Sequence, residues 1–109
     1  MTLKGKDHFS QTGGVRLDMS NVSFPFARLS VYPRELCLSC FGETYRFPKS
    51  RIIALSKHRG LFSIGLRIDH NVPVYPKFVV FWIATFFKKS HFASLRERLQ
   101  AVGYEVREY

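Results

Sequence analysis

Cysteine is scarce in this chain: Cys37 and Cys40, in the run Cys-Leu-Ser-Cys, are the only two. A structural zinc site needs four ligands, and there is no second C-x-x-C and no H-x3-5-H pair. A redox C-x-x-C sits at a helix start beside a βαβ pattern, whereas this one lies in a strand-like run. Three residues apart on a strand, the two sulfurs point to opposite faces, giving one inward and one outward free thiol. Acidic residues are equally scarce in the middle of the chain, where Thr44 to Arg96 holds ten Lys/Arg and one acid, Asp69. Acid–base work by paired carboxylates therefore has no second member in that stretch. The G-x-S-x-G, G-x-x-x-x-G-K-[ST], G-x-G-x-x-G and H-E-x-x-H motifs are all missing. Ser63, Asp69 and His70 do not make a triad, because Ser63 and Asp69 stand roughly 20 Å apart on an extended strand. His8, His58, His70 and His91 show no ligand spacing. Long apolar runs are absent too. The longest, Phe78 to Phe87, is interrupted by Thr85, and a spanning helix needs about 20 residues. Met1 to Gln11 has no apolar h-region. These absences predict a soluble, cytoplasmic chain, peripheral to a membrane at most, with no enzymatic role, no cofactor and no metal.

What is present is a single-domain length of 109 residues, eleven Phe and a net charge of +9. Outside Thr44 to Arg96 the basic and acidic residues balance at seven each, so the whole excess sits in the second half of the chain. A field of one sign attracts polyanions or serves solvation.

Met1 to Thr12 is polar and closes on Gly13-Gly14, which predicts a flexible tail over 1–13 and a domain over 14–109. Val15 to Met19 alternates as a half-buried strand, and Asn21 to Pro25 reads as a break. Phe26 to Tyr32, Leu36 to Phe41 and Thr44 to Phe47 follow, with turns at Pro33-Arg34-Glu35 and Phe41-Gly42-Glu43. Arg51 to Ser56 is the next strand, ended by a basic turn, Lys57 to Gly60. Leu61 to Asp69 alternates most cleanly, and His70 to Pro76 is a loop. Lys77 to Phe86 is apolar on both faces, which implies cover on both sides. Phe92, Leu95, Leu99 and Val102 change the period to that of an amphipathic helix, with Ser90 placed to cap it and Gly103 at C′. The expected class is mainly β (α+β): seven antiparallel strands forming a barrel or sandwich, capped by one C-terminal α-helix.

That plan, and the local text, resemble the bacterial PH-like domains of the pleckstrin-homology superfold. The resembling stretches are Gly14-Val15-Arg16-Leu17, Pro25 to Val31, Tyr45-Arg46-Phe47-Pro48 with Ile52 to Leu55, Gly65 to His70, Phe78 to Trp82, and Leu99 to Val106. They span roughly residues 14 to 106 and consist of packing and turn positions. The resemblance implies a scaffold whose partners vary, with protein binding or self-association as the default. Lipid-binding PH domains carry a spaced Lys and (Lys/Arg)-x-Arg pattern around the first hairpin. Here Arg16 to Arg28 holds only those two basic residues and Asp18, so the pattern is missing.

Two candidate sites follow. The basic strand-turn Arg46, Lys49, Arg51, Lys57 and Arg59 is the candidate for a polyanion: an anionic lipid headgroup such as a phosphoinositide, or nucleic acid. Lys88-Lys89 is an exposed basic pair ahead of the helix. Nucleic acid also asks for exposed aromatics, and Tyr45, Tyr75 and Tyr109 are the expected ones. Phe62, Phe78 and Trp82 are expected on the core face, which argues against a single-strand binder. The loop residues Val72, Val74 and Tyr75, set between two prolines, are the candidate protein contact, together with an open sheet edge. The expected function is a non-catalytic binding module for protein–protein interaction or self-assembly as a homo-oligomer, with polyanion binding as the alternative.

Overall fold

The computed structural model describes residues 9–18, 20–59, 64–83 and 90–107. Expectations resting on Met1 to His8, Met19, residues 60–63 and 84–89, the side chains of Ser90 and His91, and Tyr109 lie outside them.

Eight strands form one sheet: β1 (Phe9–Leu17), β2 (Ser20–Val31), β3 (Glu35–Cys40), β4 (Glu43–Pro48), β5 (Ile52–Arg59), β6 (Ile64–His70), β7 (Val79–Trp82) and β8 (Val106–Arg107). A 3₁₀ turn, Lys49–Arg51, precedes β5, and helix α1 (Ser90–Ala101) precedes β8. The order across the sheet is β4-β3-β2-β1-β7-β6-β5-β8. Every neighbouring pair is antiparallel except β5 and β8, which are parallel. Eight strands in a mixed sheet thus replace the seven antiparallel strands expected. The eighth follows from α1, which carries the chain across the sheet and returns it beside β5. With only two residues, β8 leaves no periodicity to read.

The inner face follows from strict alternation. Leu29, Val31, Leu36, Leu38, Phe47, Leu66, Ile68, Val79 and Phe81 all point inward and are buried. Phe92, Leu95 and Leu99 of α1 close over this face. Each such side chain contributes about 1.5–3 kcal/mol on leaving water. Gly103, at φ +104, terminates the helix as its position in the sequence predicts. Its N–H donates to the Gln100 carbonyl at 3.0 Å and the Tyr104 N–H to the Leu99 carbonyl at 3.0 Å, the two bonds of a Schellman motif.

The sheet curls into a half-barrel. Tyr75, in the loop after β6, reaches β4, with its ring 5.1 Å from Tyr45 and 5.5 Å from Phe47. The Tyr104 hydroxyl donates to the Tyr32 carbonyl at 2.6 Å, tying the chain after α1 to the end of β2.

Three further expectations change. Within the segment expected as a tail, residues 9–13 belong to β1. There Phe9 pairs in register with Val31, and Ser10 shares a hydroxyl–hydroxyl bond with Ser30 at 3.1 Å, so a polar outward row hides the strand. The break at Asn21 to Pro25 lies inside a continuous β2, because β2 spends residues 23–26 where β1 spends Gly14 alone. The turn expected from Lys57 runs on as strand to Arg59, since Lys57, His58 and Arg59 pair with Leu66, Gly65 and Ile64.

Candidate functional site

The five basic residues of the expected polyanion site reach different surroundings. Arg46 points outward from β4 and forms an ion pair with Glu35 at 2.9 Å. Lys49 and Arg51 lie together in the 3₁₀ turn, Lys49 with its Nζ 4.7 Å from the Tyr104 ring centre and Arg51 donating to the Asn71 carbonyl at 3.5 Å. Lys57 follows Leu55 by two residues and so shares its inward parity. Its Nζ lies 5.6 Å from the Phe92 ring centre, beneath α1. Arg59 is exposed at the far end of β5, about 25 Å along the chain from Arg51. Lys49 and Arg51 are therefore brought together, while Arg59 is held apart and Lys57 is turned to the other face.

The loop candidates also divide. Val72 and Tyr75 pack against the core, and the Tyr75 hydroxyl accepts the Arg46 N–H at 3.1 Å. His70 holds the loop in place: its Nδ1 accepts the Val72 N–H at 3.0 Å and its Nε2 sits 2.8 Å from the Pro76 carbonyl. Only Val74 projects, at 86% exposed. Tyr45 and Tyr75, expected as exposed aromatics, are half-buried because they face each other where the sheet curls.

The two thiols take opposite faces. Cys40 joins the core, while Cys37 is buried on the outer face, where an Arg46 guanidinium nitrogen lies 3.5 Å from its sulfur. Burial pushes both thiols above their ordinary range, with Glu35 adding to the rise at Cys37 and Glu43 at Cys40. Arg46 offsets part of the rise at Cys37. Both sulfurs thus stay protonated, weak nucleophiles near neutral pH. Among the described residues, no group of three His, Cys, Asp or Glu is placed to hold a metal ion. No described helix is long and apolar enough to cross a membrane.

The surface that sequence reasoning missed lies where β2 bulges beside the β3–β4 hairpin. Phe24 is 45% exposed, Phe26 56% and Phe41 73%. Phe26 and Phe41 stack on each other with centroids 5.6 Å apart and planes at 24°. Phe41 and Gly42 form the two-residue turn between β3 and β4, with φ of +46° and +84°. Positive φ at both positions is the type I′ pattern, which favours Asn-Gly or Asp-Gly. A Phe there costs about 1 kcal/mol or more in backbone strain. Beside the stack runs an open groove of about 380 Å³, lined among others by Thr12, Arg28, Ser39, Phe41, Glu43 and Thr44. Thr12, Arg28, Ser39 and Thr44 form one in-register outward row across β1, β2, β3 and β4. Arg28 reaches the Thr12 hydroxyl at 3.5 Å and meets no carboxylate among the described residues. One signal was available in the sequence: Phe41 stands directly before Gly42 at a turn, where an aromatic has no inward place to go.

Compared with models of known families and with curated proteins, the chain matches none.

Proposed function

We propose that the chain is a non-catalytic protein-binding module on a PH-like scaffold, docking its partner over Phe24, Phe26 and Phe41. The observation that carries this reading is the exposed Phe26–Phe41 stack, held partly by a residue at positive φ. A large aromatic kept at a strained and solvated turn is disfavoured for folding, so its use lies at the surface. The groove beside it defines the partner's chemistry. It takes an extended segment whose apolar side chain meets the phenyl stack and whose carboxylate meets Arg28, with the Ser39 and Thr44 hydroxyls left for its backbone. A separate, acidic protein fits better than a second copy, because two chains of +9 repel each other. The burial of both thiols and the single acid, Asp69, between Thr44 and Arg96 support a non-catalytic role. Polyanion binding at residues 46–59 draws less support, because Arg59 stands at the far end of β5 and Lys57 lies under α1, so the five cations do not converge.

Selection from a displayed library of random peptides tests the proposal. The expected result is an enriched motif joining an aromatic or large aliphatic residue to Asp or Glu, whose binding falls at least about tenfold in Phe26→Ala and in Arg28→Ala. Failure to enrich, or enriched peptides that bind both variants at full affinity, overturns it.

A further inference from the structure

The other half of the outer face carries a different cluster. Arg16 of β1 pairs in register with Val80 of β7, and Val80 with Arg67 of β6. The two arginines therefore flank Val80 on one face, with Phe78 just ahead of it in the chain. Both guanidiniums stack on the Phe78 ring, Arg16 at 6.0 Å and Arg67 at 5.2 Å from its centre, and His58 meets the same ring edge-on at 5.8 Å. Phe78 is fixed in turn by Asp18, whose N–H donates to the Phe78 carbonyl at 2.8 Å and whose carboxylate accepts the Phe78 N–H at 2.9 Å. The inner nitrogen of each guanidinium is already occupied: Arg16 Nε donates to the Asp18 carbonyl at 3.4 Å and Arg67 Nε to the Asp69 carboxylate at 3.0 Å. No described residue takes the terminal N–H groups of either side chain. Two planar forks are thus pinned by ring stacking and by their Nε bonds, with no described residue on their outer donors. That is the arrangement that receives phosphate oxygens at low entropic cost.

One step further along β7 stands Trp82, half-buried on this outer face. Expected in the core with Phe78, it faces outward because the inward parity of β7 belongs to Val79 and Phe81. The register neighbours of Trp82 on both sides are glycines, Gly14 and Gly65, so neither in-register neighbour puts a side chain beside the indole. The ring packs directly on Gly14, where an added Cβ would lie 2.3 Å from the Trp82 Cζ2. The spacing from the arginine row to the indole is two residues, about 6.6 Å.

The geometry points to a single-stranded nucleic-acid site on this face, with backbone phosphates on Arg16 and Arg67 and a base stacked on Trp82. A membrane surface fits less well here, because the apolar residue between the arginines, Val80, is 4% exposed and offers nothing to insert. Sheet-face aromatics beside basic side chains are how single strands are held without a groove that reads sequence.

Trp82 is the only tryptophan, so its own fluorescence reports on the site. The probe is a short oligothymidylate, followed by tryptophan quenching and, with a labelled strand, by anisotropy. The expected result is saturable quenching and an affinity that falls with salt between about 50 and 200 mM, with a log–log slope near −0.7 for each phosphate held. Arg16→Ala with Arg67→Ala is expected to lose at least about tenfold in affinity and to flatten that slope. Arg16→Lys with Arg67→Lys keeps the charge and a partner for Asp69, and serves if the alanine pair does not fold. It too is expected to weaken binding, since an ammonium has neither the fork nor the stack. Wild-type affinity in a folded lysine or alanine pair overturns the assignment. So does oligonucleotide binding that leaves the Trp82 emission unchanged, or binding to phosphatidylserine vesicles with none to the oligonucleotide.

Discussion

Replacing Phe41 by Asn separates the cost of the residue to the fold from its use at the surface. Phe41 sits at φ +46°, a conformation that costs an ordinary L-residue about 1–2 kcal/mol and that Asn tolerates. Phe41→Asn also makes Asn-Gly, the favoured pair for a two-residue type I′ turn. Against this gain stands the lost stack on Phe26, about 0.5–1.5 kcal/mol for an aromatic pair and toward the lower end at a surface. Little burial is forfeited, because Phe41 is 73% exposed. The two effects nearly cancel, leaving a change within about 1 kcal/mol of zero and leaning toward stabilisation. Urea denaturation measures it: with a slope of about 1–3 kcal/mol per molar, the midpoint moves by less than about 1 M. Affinity for the selected peptides falls at least about tenfold in the same variant. A loss of more than about 2 kcal/mol would refute the reasoning, because it would make Phe41 a structural residue of the hairpin.

Gly14→Ala forces a methyl group into the Trp82 ring, 2.3 Å from Cζ2, and is expected to destabilise by about 1–3 kcal/mol with a red shift of tryptophan emission. Unchanged emission would mean that the ring does not lie on Gly14. Tyr104→Phe removes the donor to the Tyr32 carbonyl and lowers the melting temperature by about 4–8 °C, as a loss near 1 kcal/mol does in a domain of this size. An unchanged melting temperature would show that this tie contributes nothing to closing the half-barrel. Alkali is expected to weaken the fold. Burial raises Cys37 and Cys40 above the ordinary thiol range, so the folded state holds those protons more tightly than the unfolded chain. That contribution is complete below the unfolded value and is lost as pH rises through the folded one. The urea midpoint therefore drops above about pH 9, and Cys37→Ala with Cys40→Ala removes part of the drop.

The inner face was legible because burial imposes a period. Leu29 and Val31, Leu36 and Leu38, Leu66 and Ile68, and the stripe Phe92, Leu95 and Leu99 all point where alternation or helical spacing puts them. Four features escaped, each for a local reason. The two residues of β8 are too few to show a period. The outward Ser10 and Thr12 made the start of β1 look like a tail. The four-residue excursion of β2 at 23–26 looked like a break between strands. The extra residue at Ile53, between the pairs Ile52–His70 and Ala54–Asp69, sits just before Leu55 and Lys57, whose shared inward parity was obscured by reading a turn from Lys57. The candidate sites escaped more completely, since they depend on which outward residues become neighbours. Arg16 and Arg67 are 51 positions apart in sequence and meet only because β7 lies between β1 and β6.

Both candidate surfaces use β1, and this makes their relation testable. Thr12 lines the phenyl groove and Arg16 begins the arginine row, four residues on, about 13 Å along the strand. That separation lets a short peptide and a short oligonucleotide bind together. It is also close to the screening length, about 10 Å at 0.1 M salt, so the two ligands still feel each other's charge. An acidic peptide on Arg28 and phosphates on Arg16 repel, so each is expected to weaken the other a few-fold at low salt. The coupling should fade as salt rises, because screening shortens its reach before it abolishes either contact. Binding of the selected peptide, titrated at fixed oligonucleotide concentrations and two salts, measures this coupling. A finite limiting ratio of affinities that shrinks with salt is the signature of two sites. Strict competition at every salt, with the apparent affinity falling without limit as oligonucleotide is added, would mean that one surface takes both ligands. The division of the outer face between Phe26–Phe41 and Arg16–Arg67 would then be wrong.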